Sequence, residues 1–146
     1  MNLRLHFEIS GVLLLTLGLA HCFFARYFGW KEELARLSVF TRQVFLVHCF
    51  FIALAVALLG ACSLFYADAL LEPSPLSRVV LAGVLVFWLC RLGAQWFGYS
   101  PAIWRGKRFY TAMHFVFSGF WIYLVLIYAA ALQQSFHPLR AIVEYP

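Results

Sequence analysis

Five polar side chains of this sequence occupy stretches that are otherwise apolar. They are three imidazoles, one guanidinium and one carboxamide, at His21, His48, His114, Arg91 and Gln95. A neutral imidazole can bind haem iron or a metal ion, and it can also transfer a proton. A guanidinium carries five N–H donors and no acceptor, so it binds anions and carbonyl oxygens. This combination of side chains predicts a site that binds a ligand.

The composition indicates that these side chains lie within a membrane. Of the 146 residues, 64% are hydrophobic and 12% are charged, whereas soluble domains average roughly 45–50% apolar and about 25% charged residues. A soluble domain of this length could not bury so much apolar surface, because much of a small domain's chain stays at its surface. The composition therefore excludes a soluble domain, a disordered chain, a coiled coil and a disulfide-stabilised scaffold.

Four stretches are long and apolar enough to cross a bilayer, which takes about 20 residues. They are residues 5–25, 44–67, 79–97 and 109–132. The connections between them are short, so neighbouring helices must run in opposite directions. We predict an all-α integral membrane protein, folded as an antiparallel four-transmembrane-helix bundle that forms a single membrane domain over residues 1–146.

The three connections differ in their chemistry. In residues 26–42, apolar side chains recur at helical spacing among charged ones, which predicts a short amphipathic interfacial helix between helices 1 and 2. Residues 68–77 contain two prolines and are predicted to form a turn. Residues 99–108 contain Ser100-Pro101, an N-cap followed by a first-turn proline, which predicts one short helical turn.

The distribution of positive charge predicts the orientation in the membrane. Lysine and arginine are retained on the cytoplasmic side, and the first and third connections hold Arg26, Lys31, Arg36, Arg42, Arg105, Lys107 and Arg108. The opposite side holds only Arg4, Arg78 and Arg140. Both termini are therefore predicted outside the cytoplasm, in a multi-pass protein. An aromatic belt is predicted at the cytoplasmic ends from Trp30, Trp96, Trp104, Tyr99 and Tyr110.

The same asymmetry accounts for the formal net charge of +5. The lipid bilayer is therefore the expected partner, and nucleic acid is not. Small residues on helix 2, at Ala53, Ala57 and Ala61, allow close helix contact within the fold, with a second copy of the chain or with another membrane protein.

In an antiparallel bundle, the polar side chains of the four helices fall at a similar depth near the cytoplasmic ends. Arg91 and Gln95 are four residues apart and share one face of helix 3, and Tyr110 precedes His114 by one turn on helix 4. An arginine inside the hydrocarbon costs roughly 2.5–3.5 kcal/mol, so it is kept where a partner or ligand compensates. We predict one cofactor-binding layer, made of His21, His48, His114, Arg91, Gln95 and Tyr110.

A redox cofactor in an electron-transfer role is the first functional hypothesis for this layer. Two histidines on facing helices would ligate the iron of haem b, with Arg91 and Tyr110 near a propionate. The spacing does not decide which two of the three histidines ligate. A quinone would use the same groups as hydrogen-bond donors instead of as ligands.

Two other functions could use the same layer. Three histidines could hold a metal ion such as zinc, or one histidine could act as an acid or base, in a membrane enzyme acting on a lipid or another apolar substrate. The layer contains no carboxylate base and the sequence no catalytic motif, so no catalytic residue is assigned. Alternatively, the chain is a non-catalytic subunit or assembly factor whose histidines hydrogen-bond across helices.

Overall fold

A computed structural model describes residues 2–136, and these residues form α-helices and no β-strand. The helices are α1 (Leu3–Tyr27), α2 (Trp30–Ala35), α3 (Val39–Phe65), α4 (Ala67–Leu71), α5 (Pro75–Phe97), α6 (Pro101–Trp104) and α7 (Arg108–Phe136). By length and composition α1, α3, α5 and α7 can each cross a membrane, as predicted for a multi-pass integral membrane protein. Arg140, which entered the charge count, lies outside the described residues.

Each long helix begins before its predicted span, and at α1, α3 and α5 a capping side chain marks where the helix begins. At the other end, α3 stops at Phe65, two residues before the predicted end, and α5 stops at Phe97 as predicted. Ser38 accepts a hydrogen bond from the Thr41 backbone N–H, so α3 begins at Val39 and includes polar residues at its start. Ser74 and Ser77 form a reciprocal capping box at the first turn of α5. Such caps satisfy backbone N–H groups that have no partner inside the helix.

The amphipathic helix predicted over residues 26–42 is much shorter than expected. Gly29 adopts a left-handed conformation at φ 64° and separates α1 from α2, a conformation that costs glycine little. The helix then ends at Ala35, and residues 39–42 of the predicted amphipathic segment belong to α3 instead. The predicted turn at 68–77 instead contains the short helix α4, whereas the short helix predicted at Ser100-Pro101 is present as α6.

The described residues divide into two compact units, which we call the first hairpin (residues 2–67) and the second hairpin (residues 68–136). In the first hairpin, α1 and α3 are antiparallel and touch through glycine. A Cβ added at Gly11 would lie 2.7 Å from the Leu64 backbone nitrogen, and one at Gly60 would lie 2.8 Å from that of Leu15. Backbones can approach this closely only where side chains are absent.

In the second hairpin, α5 and α7 pack along stripes of buried residues at three- and four-residue spacing. The stripe on α7 includes Ser118, Trp121, Leu124, Tyr128, Ala131 and Ser135. Near its middle, Trp88 of α5 stacks on Trp121 with 5.5 Å between ring centroids and 16° between ring planes. At the end far from α6, Arg78 donates two hydrogen bonds, of 3.2 and 2.8 Å, to the backbone oxygen of Ser135.

Candidate functional site

The second hairpin contains a hydrogen-bonded group of polar side chains centred on Gln95, which is 5% exposed. Two of its members, Arg91 and Gln95, stand one turn apart on α5. The other two, His114 and Trp121, stand two turns apart on α7 and therefore share a face. We call Arg91, Gln95, His114 and Trp121, with Trp104 above His114, the Gln95 cluster.

The Gln95 carboxamide joins the two helices. Its Oε1 accepts hydrogen bonds from Arg91 Nη1 at 3.2 Å and from Trp121 Nε1 at 3.3 Å. Its Nε2 lies 3.1 Å from His114 Nδ1. The structure thus brings together three of the six predicted site residues, Arg91, Gln95 and His114, through one buried amide.

This network fixes where the proton of the His114 ring resides. Arginine and tryptophan side chains can only donate, so the Gln95 atom between Arg91 and Trp121 must be the oxygen. The Gln95 nitrogen therefore faces His114 and donates to Nδ1, which carries no proton. In the neutral ring of His114 the proton must then be on Nε2.

Arg91 has no acidic partner among the described residues of the second hairpin. Its guanidinium carbon lies 4.6 Å from the centre of the Trp121 ring, a cation–π contact. Arg91 uses its Nη1 atom to donate to Gln95. Its Nε and Nη2 atoms have no hydrogen-bond partner within the described part of this hairpin. The cluster therefore carries a positive charge that no side chain of its own hairpin neutralises.

Trp104 of α6 covers the imidazole of His114. The two rings are almost parallel, with centroids 4.3 Å apart and planes 7° apart. Ser100 caps α6, and Thr111 donates a 2.6 Å hydrogen bond to the Trp104 backbone oxygen. The short connection between α5 and α7 thus places an indole directly over the site.

Two indole N–H groups of the second hairpin are buried without an acceptor among the described residues. They belong to Trp104 and to Trp88, whose side chain is 0% exposed. A buried donor without an acceptor costs about 1–3 kcal/mol. In contrast, Trp96 donates to the Ser118 hydroxyl at 3.3 Å.

Sequence reasoning placed Trp104 in an aromatic belt and missed its contact with His114. The relevant signal is the Ser100-Pro101 cap, because it fixes the turn of α6 that carries Trp104. Tyr110 was predicted as a site residue, but no hydrogen bond joins it to the Gln95 cluster in the described residues. Its ring is 41% exposed and lies 5.5 Å from the Lys107 ammonium.

His21 and His48 belong to the first hairpin, and both hydrogen-bond to their own helix. His21 Nδ1 lies 2.7 Å from the Leu17 oxygen, and His48 Nδ1 lies 2.7 Å from the Val44 oxygen. A backbone oxygen only accepts, so each Nδ1 carries a proton and, in the neutral ring, each Nε2 has a free lone pair. These two rings therefore hold the opposite tautomer to His114.

The tautomers separate the predicted histidines by what each can do. A histidine that donates Nδ1–H to a backbone oxygen is in the form that binds a metal through Nε2, which suits His21 and His48. His114 instead offers an Nε2–H donor. Within residues 2–136, no three His, Cys, Asp or Glu side chains form a group that could hold a metal ion.

The chain matches no family model, no curated protein and no solved structure.

Proposed function

We propose that the second hairpin binds a quinone at the Gln95 cluster and that the protein serves in electron transfer. The observation that carries this proposal is the excess of donors over acceptors. Arg91 and His114 Nε2 retain N–H groups without partners in their hairpin, and so does Trp104. The acceptors at Gln95 Oε1 and His114 Nδ1 are already used. Such a site suits a ligand whose polar atoms only accept hydrogen bonds, as the carbonyl oxygens of a quinone do.

The rings of the cluster suit the rest of a quinone molecule. Stacked aromatic side chains favour a flat ring placed against them, and each such contact contributes about 0.5–1.5 kcal/mol beyond the area it buries. Trp104, which is partly exposed, supplies an indole next to His114, whereas Trp88 and Trp121 are buried and stack on each other behind the cluster. Because a quinone is apolar, it would reach the site from the lipid around these helices.

The proposal extends to the predicted layer. We propose that the two hairpins form one antiparallel four-helix bundle with both termini outside the cytoplasm, which would place His21 and His48 in the same half of the membrane as the Gln95 cluster. Haem b is the second candidate ligand. The observation in its favour is the free Nε2 lone pair on His21 and His48, the atom through which an imidazole binds haem iron.

Titration of the detergent-purified protein with a short-chain ubiquinone tests the first candidate. We expect saturable quenching of tryptophan fluorescence, and we expect Trp104→Leu to weaken binding about tenfold, because one aromatic contact is lost. Trp30→Leu is the matched control, since Trp30 packs on Phe28 and Phe45 in the first hairpin. Quenching that does not saturate, or equal loss in both variants, would reject a quinone site at this cluster.

An absorption spectrum of the protein, oxidised and then reduced with dithionite, tests haem binding. If haem b is bound, a Soret band with sharpened reduced peaks should be present and should be lost in His48→Ala, because a ligating nitrogen is removed. His6→Ala should keep the band, because His6 lies near the start of α1, at the opposite end of that helix from His21. A featureless spectrum of protein produced in cells supplied with ample haem would eliminate this candidate.

If the quinone titration and the haem spectrum are both negative, a membrane enzyme or a non-catalytic subunit becomes the better explanation.

A further inference from the structure

We infer that Gln95 determines which redox form of a quinone the site holds, because it fixes the tautomer of His114. The identity of the ligand rests on the proposed function, whereas the tautomer rests on the hydrogen bonds alone. In this role Gln95 is a positioning residue: it acts through His114 without having to touch the ligand.

The hydrogen bonds of Gln95 make the other tautomer costly. A proton on His114 Nδ1 would point at the Gln95 amide nitrogen, which is also a donor. Rotating the amide to remove that conflict would turn its NH₂ group towards Arg91 Nη1 and Trp121 Nε1, which are donors as well. Every alternative arrangement therefore loses at least one hydrogen bond in a buried place.

With this tautomer, the two partly exposed polar side chains of the cluster, His114 and Arg91, present only hydrogen-bond donors. His114 offers Nε2–H and Arg91 offers guanidinium N–H groups, and neither of these groups can accept a hydrogen bond from a hydroxyl. An oxidised quinone has two carbonyl oxygens that only accept, so it matches this surface. A quinol carries hydroxyl groups, whose hydrogens would find no acceptor on these two side chains.

This mismatch gives a measurable preference. Leaving one buried donor without an acceptor weakens binding by about tenfold, so we expect the quinone to bind at least about tenfold more tightly than its quinol. A tenfold preference for the oxidised form lowers the midpoint potential of a bound two-electron couple by about 30 mV. The site therefore retains quinone and releases quinol.

Gln95→Glu tests this role because it should reverse the tautomer. A carboxylate can accept hydrogen bonds from Arg91 and Trp121 as the Gln95 oxygen does, but it has no N–H group to donate to His114. The proton of the His114 ring should therefore move to Nδ1 and leave Nε2 as an acceptor. In alkaline buffer, which keeps imidazoles neutral, we expect the ratio of quinone to quinol affinity to shift about tenfold towards the quinol. Gln133→Glu, at an exposed position of α7, adds the same charge away from the cluster and should leave the ratio unchanged.

Nitrogen-15 NMR of histidine-labelled protein reads the tautomer without any ligand, and the signals lost in His114→Gln assign the ring. We expect a protonated Nε2 in the wild type and a protonated Nδ1 in Gln95→Glu. A protonated Nδ1 in the wild type, or an unchanged affinity ratio in a Gln95→Glu protein with the reversed tautomer, would overturn the role of Gln95 even if quinone binds. The expected tautomers with no binding of either redox form would reject the quinone function and redox selectivity with it.

Discussion

Arg91→Gln is expected to weaken quinone binding by about 10- to 100-fold. The Arg91 guanidinium carries a positive charge that no acidic side chain neutralises within the described part of the second hairpin. A hydrogen bond from such a charged donor contributes about 1.5–3 kcal/mol. Glutamine keeps a hydrogen-bonding side chain but loses the charge and the cation–π contact with Trp121. The dissociation constant for a short-chain ubiquinone measures the effect.

Arg78→Gln provides the matched control on the same helix. Arg78 donates to the Ser135 backbone oxygen and lies over the Phe136 ring, at the opposite end of α5 from the cluster. Its replacement should loosen the end of α7 while leaving the affinity within about twofold of the wild type. Equal losses in the two variants would show that any arginine on α5 matters only for folding, and the Arg91 contact would lose its role in binding.

Gly60→Ala is expected to destabilise the first hairpin by about 1–3 kcal/mol, the usual cost of forcing extra atoms into a packed contact. The new Cβ would lie 2.8 Å from the Leu15 nitrogen, 2.9 Å from the Leu14 Cβ and 3.0 Å from the Gly11 oxygen. Two of these atoms belong to the backbone and cannot rotate away, so α1 and α3 must separate. Unfolding by titration with a denaturing detergent measures the change in the free energy of unfolding.

Gly83→Ala is the matched control, because it should raise the free energy of unfolding where Gly60→Ala lowers it. A Cβ at Gly83 meets nothing within 4 Å, and alanine is favoured over glycine inside a helix by roughly 0.5–1 kcal/mol. If both variants were equally stable, the close approach of α1 and α3 would not contribute to the stability of the protein.

Hydropathy was sufficient to predict the four long helices, but not their ends. Ser38 and Ser74 begin helices within polar stretches because they satisfy backbone donors, and a left-handed glycine at position 29 interrupts a helical pattern. Hydropathy averages over many residues and cannot register one hydroxyl group or one φ angle. Caps and glycines must therefore be considered separately from apolar length.

The proximity of Arg91, Gln95 and His114 could be predicted from the sequence, whereas the positions of their protons could not. The four-residue spacing of Arg91 and Gln95, and the similar depth of His114, were enough to predict that these three side chains lie close together. Which nitrogen of an imidazole holds the proton depends on contacts that are visible only in three dimensions. The proposed participation of His21 and His48 depends on how two hairpins pack, which sequence spacing within one helix does not determine.

The position of Trp104 has a consequence for the energetics of binding. The Ser100 cap, the first-turn proline at Pro101 and the Thr111 hydrogen bond hold this indole in place over His114. A preorganised ring loses little conformational entropy when a ligand arrives, so more of the contact energy appears as affinity. Loosening the α6 connection, for example by replacing Pro101 with glycine, is then expected to weaken the proposed binding mainly through entropy, because every side chain of the Gln95 cluster is still present.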